Sequence, residues 1–342
     1  ATPSAAPSSS PAASAVPTHT ASGDAMSVSQ VVRAVSGSVV AIETEVSQEN
    51  FFFGPPVTGQ GAGSGVILSE DGYVITNNHV IDGASKVTVR LSDEESYPAT
   101  LVGTDPVSDI AVIKIDATGL VPVTVGSSAE LQVGDEAIAI GNPLGELGGT
   151  VTNGIISALN REVNVDGDSM TLLQTNAAIN PGNSGGGLFN NRGELVGIVV
   201  AKSSGVGVEG LGFAIPIDLA KPAADDLIAH GYVTGRGELG VSILDVKDER
   251  TAFYYRVPQM GVYIAEIEDG SAAKKAGLKI GDGITAVDGE KISDAASLKS
   301  QIAKHKAGDT FEITVLRDGA EKTVSVTLQE SVPEALKAQV AA

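Results

Sequence analysis

From about residue 27 to residue 215 the chain is a succession of short β-like runs punctuated by glycine, asparagine and aspartate: SVVAIET (38–44), SGVILS (64–69), KVTVRL (86–91), DIAVIKI (109–115), EAIAIG (136–141), GIISALN (154–160) and ELVGIVVA (194–201). Helical periodicity is scarce across this stretch. Short runs bounded by turn formers pair with one another, so they predict an antiparallel sandwich or barrel. A helix follows, with Asp218 as candidate N-cap, apolar residues at Leu219, Ala223, Leu227 and Ile228, and Gly231 as its stop. The domain boundary is placed there, so that 27–231 is one domain and 232–331 a second.

The second domain mixes element types. ELGVSILDV (238–246) and GVYIAEI (261–267) read as strands, and SAAKKAG (271–277) as a short helix closed by Gly277. DAASLKSQIAKH (294–305) reads as a longer amphipathic helix with Leu298 and Ile302 on one face. TFEITVLRDGAEKTVSVTLQ (310–329) is two alternating strands joined through Asp318-Gly319, a strong hairpin signal. Residues 332–342 form a tail without an assigned role. Residues 1–26 form the opposite end, and the uncharged Ala/Ser/Pro/Thr composition of 1–23 cannot bury enough apolar surface to order itself. It reads as a flexible tether, so a signal sequence or membrane anchor upstream of Ala1 is expected.

Composition narrows the partners. Acidic residues outnumber basic ones 42 to 22, a net charge of −20, which argues against nucleic acid or an anionic membrane surface as the main partner. The absence of cysteine rules out disulfides, thiolate catalysis and Cys-ligated metals. No apolar run approaches the roughly 18 residues of a membrane span.

The chemistry concentrates in LLQTNAAINPGNSGGGL (172–188), where Ser184 has Gly182 and Asn183 before it and Gly185, Gly186 and Gly187 after it. A nucleophilic serine needs an uncrowded tight turn and backbone N–H groups aimed at the oxygen that becomes negative, and glycines permit both. By itself the segment reads equally well as an ordinary surface turn. The chain has four histidines. His19 lies in the tether, and His230 and His305 end helices, which leaves His79 in YVITNNHVIDG. Asp109 opens DIAVIKI. Each alone has a structural explanation. Together they run His79, Asp109, Ser184 through a β-rich domain, the order of the chymotrypsin arrangement. The oxyanion hole would then be the Gly182–Asn183–Ser184 turn, through the Gly182 and Ser184 N–H groups.

These residues sit in motifs that carry a family resemblance: GSGVILSEDGYVITNNHVI around His79, SDIAVIKI at Asp109, AIGNPLG (139–145), QTNAAINPGNSGG (174–186) and LGFAIP (211–216). Over about residues 27–331 the chain resembles the HtrA (Deg) serine proteases, extracytoplasmic quality-control enzymes. The resemblance implies a mostly β chain, a chymotrypsin-like double barrel followed by one α+β PDZ domain, with His79, Asp109 and Ser184 catalytic and no metal or organic cofactor. Two departures stand out: Gly187 replaces the usual proline after the nucleophile motif, and GSAAKKAGLKIGDGI (270–284) has Ala272 where proline is usual and Gly283 where an aliphatic is usual. Gly283 is expected to remove a core side chain and weaken the PDZ domain.

By the same resemblance, Ala178 and Ile179 help form the S1 pocket, with Leu211 and Phe213 of LGFAIP lining it. All four are apolar, so cleavage after Val, Ala, Ile or Leu is expected. The PDZ module would capture peptide C-termini on the Glu238-Leu239-Gly240-Val241 turn, with Leu298 and Ile302 across the groove; for Ile302 a plain core role is the equal alternative. Phe51, Phe52 and Phe53 form an apolar loop that the family directs toward a neighbouring subunit, implying a homotrimer. The glycine-rich segments 145–154 and 202–212 match activation loops. The leading expectation is an endopeptidase acting on unfolded proteins. The alternative is a non-enzymatic holdase or scaffold that uses the same surfaces.

Overall fold

A computed structural model of the protein describes residues 25–48, 57–142, 149–165, 168–201, 211–333 and 336–337. Tether residues 1–24, Phe51–Phe53, residues 145–148 and 202–210 of the glycine-rich segments and most of the tail lie outside the described residues.

Helix α1 (Val28–Val35) buries Val31 and Val35. The first barrel comprises β1 (Val39–Gln48), β2 (Val57–Ile67), β3 (Tyr73–Thr76), β4 (Lys86–Arg90), β5 (Ser96–Asp105) and β6 (Ile110–Ile115), with the short helix α2 (Asn78–Ile81) after β3. It closes in the order β1-β2-β3-β6-β5-β4. The second comprises β7 (Glu136–Gly141), β8 (Thr150–Val165), β9 (Asp168–Thr175), β10 (Gly187–Phe189), β11 (Leu195–Val200) and β12 (Gly212–Pro216), closed as β10-β11-β12-β9-β8-β7. Each strand pair within the two barrels is antiparallel.

Strand β6 shows why the apolar runs are continuous. Ile110 and Val112 face a core shared with Ile138, Ile140 and Phe189 of the second barrel. Ala111, Ile113 and Ile115 face a separate cluster with Val40, Ile42 and Val74 of the first. A strand buried on both faces has no polar side to show. The shared core also takes in α1 and α3 (Ile217–His230), so it joins the barrels.

Helix α3 corrects one expectation. Pro216 is its N-cap, and Asp218 is its second residue. The Asp218 carboxylate instead accepts the Ala129 N–H (2.7 Å) and the Ser127 and Ser128 hydroxyls (3.0 and 2.9 Å), capping a neighbouring turn. Leu219 is 55% exposed; the buried face is Ile217, Ala220, Ala223, Ala224 and Leu227. Gly231 ends the helix at φ +81°, as expected.

The second domain runs β13 (Gly237–Glu238), β14 (Val241–Val246), α4 (Glu249–Tyr255), β15 (Gly261–Ile267), α5 (Ala272–Ala276), β16 (Gly283–Val287), β17 (Glu290–Lys291), α6 (Ala295–Ile302), β18 (Thr310–Arg317), β19 (Ala320–Thr327) and β20 (Gln329–Glu330). Its sheet is ordered β14-β15-β16-β18-β19, which leaves β14 at an edge, while β13 pairs with β20. Asp318 and Gly319 both take positive φ, the demand of a tight hairpin turn. Helix α6 stops three residues before His305, whose ring instead stacks on Phe311 at 4.4 Å.

The two glycine departures have the same physical basis. A Cβ at Gly283 would stand 2.8 Å from the ring of Tyr263, its cross-strand partner, so the aromatic already fills that core volume. The expected packing defect is therefore absent. At Gly187 the space is taken by Phe189 and Leu195, with a Cβ only 2.9 Å from Leu195 Cδ1.

Candidate active site

Three elements from two barrels converge. His79 lies in α2, directly after β3; Asp109 immediately precedes β6, which pairs with β3; Ser184 lies in the loop from β9 to β10. The β3–β6 pairing places His79 and Asp109 side by side. Asp109 takes φ +54°, a left-handed conformation that a short polar residue tolerates, and its carbonyl accepts the Asn78 N–H and Asn77 Nδ2, each at 3.1 Å.

Both carboxylate oxygens of the buried Asp109 are used. Oδ1 accepts the His79 backbone N–H at 3.0 Å, and Oδ2 lies 2.7 Å from His79 Nδ1. An ionised carboxylate only accepts, so the proton sits on Nδ1 and Nε2 keeps a lone pair. That Nε2 lies 3.1 Å from Ser184 Oγ, which also accepts the Ala201 N–H at 3.0 Å. The line Asp109–His79–Ser184 is thus unbroken across the barrel junction.

The turn that carries Ser184 is tightly packed. Gly182 and Gly185 take φ +98° and +80°. A side chain at Gly185 would collide with the Ser64 carbonyl and the Thr76 hydroxyl. The Asn183 N–H is spent on the Asn180 carbonyl at 3.0 Å, so Asn183 is not available as an oxyanion donor, which narrows the expected hole to Gly182 and Ser184. The N–H groups of Gly182 and Ser184 find no acceptor among the described residues.

The four expected S1 residues do not share one surface. Gly212 and Ala214 lie on one face of β12 and Phe213 on the other, because the pleat alternates. Ile179 packs with the cluster holding Ala214 and would lie 2.5 Å from a Cβ at Gly212. Phe213 packs in the inter-barrel core and so is turned away from Ile179, which corrects its assignment as a lining residue. Ala178 and Leu211 are exposed. The strand alternation of LGFAIP places Gly212 and Ala214, and not Phe213, on the face of Ile179.

In the second domain Leu239, Val241, Leu298 and Ile302 line one cleft of about 790 Å³, together with Ile243. Gly240 takes φ +69°, and the N–H groups of Leu239 and Gly240 have no acceptor among the described residues. The first domain closes part of this cleft with Asp105 and Val107 of the β5–β6 turn, and Arg236 reaches Asp105 at 2.6 Å. Among the described residues no His, Asp and Glu cluster is arranged to hold a metal, and no helix is long and apolar enough to cross a membrane.

Comparison with known proteins agrees with this architecture. Residues 63–198 match the trypsin-like peptidase domain and residues 237–328 the PDZ domain. The serine protease Do-like HtrB of Bacillus subtilis is 40% identical over 330 residues, covering 89% of this chain and 71% of the relative. A probable periplasmic serine endoprotease, DegP-like, of Marinomonas is 45% identical over 280 residues, 80% of this chain and 59% of its own length. The chain thus spans little more than half of some relatives it matches. Among solved structures, the HtrA-type protease AlgW with decapeptide superposes with a TM-score of 0.60 at 34% identity, covering 90% of this chain and all of that one. The serine endoprotease from Yersinia pestis gives 0.59 at 34% identity, over 91% and 100%. With a trypsin-like peptidase domain, one PDZ domain and this identity sustained over most of both chains, the protein belongs to the HtrA (Do-like) family of serine proteases.

Proposed function

We propose that the protein is an extracytoplasmic endopeptidase that cleaves unfolded polypeptides after small or medium aliphatic residues, with His79, Asp109 and Ser184 as its catalytic triad. The unbroken hydrogen-bonded line Asp109–His79–Ser184 carries this reading. Ser184 Oγ attacks the scissile carbonyl carbon while His79 Nε2 takes its proton, and Asp109 stabilises the imidazolium. The carbonyl oxygen becomes an oxyanion held by the Gly182 and Ser184 N–H groups. Collapse breaks the C–N bond, and His79 returns the proton to the leaving amine. Water, deprotonated by His79, then attacks the acyl carbon, the bond to Ser184 Oγ breaks, and His79 returns the proton to Oγ. No metal or organic cofactor enters any step. Ile179, packed close against Gly212, presents an apolar wall that suits an aliphatic side chain and offers no acid to a Lys or Arg.

Peptide C-termini bind as an added strand on the open edge of β14, their carboxylate at the Leu239–Gly240–Val241 turn and their last side chain against Leu298 and Ile302. Amidation of an apolar C-terminal peptide is expected to abolish binding. The homotrimer implied by the family is checked by sedimentation equilibrium. The deciding experiment is degradation of unfolded β-casein by the parent and by Ser184→Ala, followed by mapping of cleavage sites. Cleavage by the parent alone supports the reading. Silence from both, even with a PDZ-binding peptide, would favour a holdase.

A further inference from the structure

Ser64, in β2, is fully buried and commits every polar group it has to the surroundings of the nucleophile. Its N–H donates to the Ser184 carbonyl at 2.8 Å, and its own carbonyl accepts the Thr76 hydroxyl at 2.7 Å. Its Oγ accepts the Asn142 N–H at 2.7 Å and donates to the Gly182 carbonyl at 2.6 Å. An amide N–H can only donate, so the one hydroxyl proton is directed at Gly182. The space around it is equally committed: a Cβ at Gly141 would stand 3.0 Å from Ser64 Oγ and 2.7 Å from Asn183 Oδ1.

Gly182 supplies one of the two free N–H groups of the turn, at φ +98°. Glycine imposes little direction of its own, so neighbours must set which way its amide faces. Its carbonyl is fixed by Ser64, and the N–H at the other end of that same peptide is fixed by Asn180. We propose that Ser64 is a positioning residue for the oxyanion hole. By holding the Gly182 carbonyl from the first barrel, it sets the direction in which the Gly182 N–H meets the incoming oxygen. The role rests on the triad reading above, and Ser64 acts only through Gly182.

The test compares the parent, Ser64→Ala, Ser64→Cys and Ser184→Ala, with active sites counted by the end point of fluorophosphonate labelling. For Ser64→Ala, kcat per titrated site on a valine reporter peptide is expected to fall about 10- to 100-fold, short of the 10²–10³ that follows outright loss of a donor. KM should stay within twofold. Affinity for a peptidyl trifluoromethyl ketone, whose adduct carries the oxyanion, should fall by the same factor as kcat. Ser64→Cys, with a weak S–H donor, should lie between. A serine that merely braces the barrels would lower the melting temperature and the titre while leaving kcat per site and inhibitor affinity unchanged, and that result overturns the proposal. Should Ser64→Ala fail to fold, Ser64→Cys decides: parental kcat per site overturns the role, and an intermediate value supports it. Lack of turnover by the parent even with a PDZ-binding peptide present would remove the triad reading and this role with it, an outcome distinct from an active parent with an unaffected Ser64→Ala.

Discussion

The protein presents two backbone turns with free amides next to a positive-φ glycine, one at Gly182–Ser184 and one at Leu239–Gly240, and they are built in opposite ways. The first is buried, crossed by hydrogen bonds from Ser64, Asn180 and Val199, with no room for a Cβ at Gly185. The second lies at a sheet edge on an open cleft whose walls come from two domains. The proposed ligands explain the difference. An oxyanion exists only in passing, so its donors must already be in place, because any reorganisation adds to the barrier. A peptide carboxylate stays bound long enough for an open edge to adapt to it.

The largest effect separating the two turns is expected from Ser184→Ala: kcat/KM on casein peptides falls by at least about 10⁴, while the Kd of an apolar C-terminal peptide, read by fluorescence anisotropy, stays within twofold. Next comes rigidity. Gly185→Ala adds a left-handed non-glycine residue and an overpacked methyl group, together costing about 2–4 kcal/mol, read as a lower denaturant midpoint with activity lost. At the open turn, Ile302→Ala should weaken peptide binding about tenfold through lost apolar contact, with turnover of a short reporter unchanged. Equal losses of both activities would show that the two turns are not independent.

The smallest effect is expected at Asp218, whose hydrogen bonds reach neither turn. Burial raises the pKa of Asp218, but the Ala129 N–H and the hydroxyls of Ser128 and Ser127 outweigh it and hold the group below its ordinary 3.8. A depressed folded-state pKa gives stability that is complete above the unfolded value and lost as pH falls through the folded one. Asp218→Asn should therefore cost under about 1 kcal/mol at neutral pH, given the exposure of the carboxylate. The gap in melting temperature from the parent should narrow below about pH 4. A gap that widened on acidification would contradict this.

What was legible in the sequence follows from how local the cause is. EAIAIG and GVYIAEI coincide with β7 and β15 because continuous or alternating apolar runs specify strands by themselves. The Asp318-Gly319 turn was legible for the same reason. Strand β5 was not, since Pro98 interrupts it and most of its side chains are not buried. Helix α4 escaped because Phe253, Tyr254 and Tyr255 are exposed, so no apolar face is periodic. His79, Asp109 and Ser184 could be named from order and context, but Ser64 could not, because its partners Gly182 and Asn142 are 118 and 78 residues away. The packing at Gly283 is hidden from the sequence for the same reason: the side chain that fills its space belongs to Tyr263 on a neighbouring strand.

The line from Asp109 to Ser184 crosses from one barrel to the other, and the two are held by a single shared apolar core. A displacement of about 1 Å between reacting groups can cost about a hundredfold in rate. Loosening of that core by heat or denaturant is therefore expected to separate His79 from Ser184, read as activity lost below the midpoint of unfolding. On the proposed reading, a copy that softens stops cutting before it unfolds.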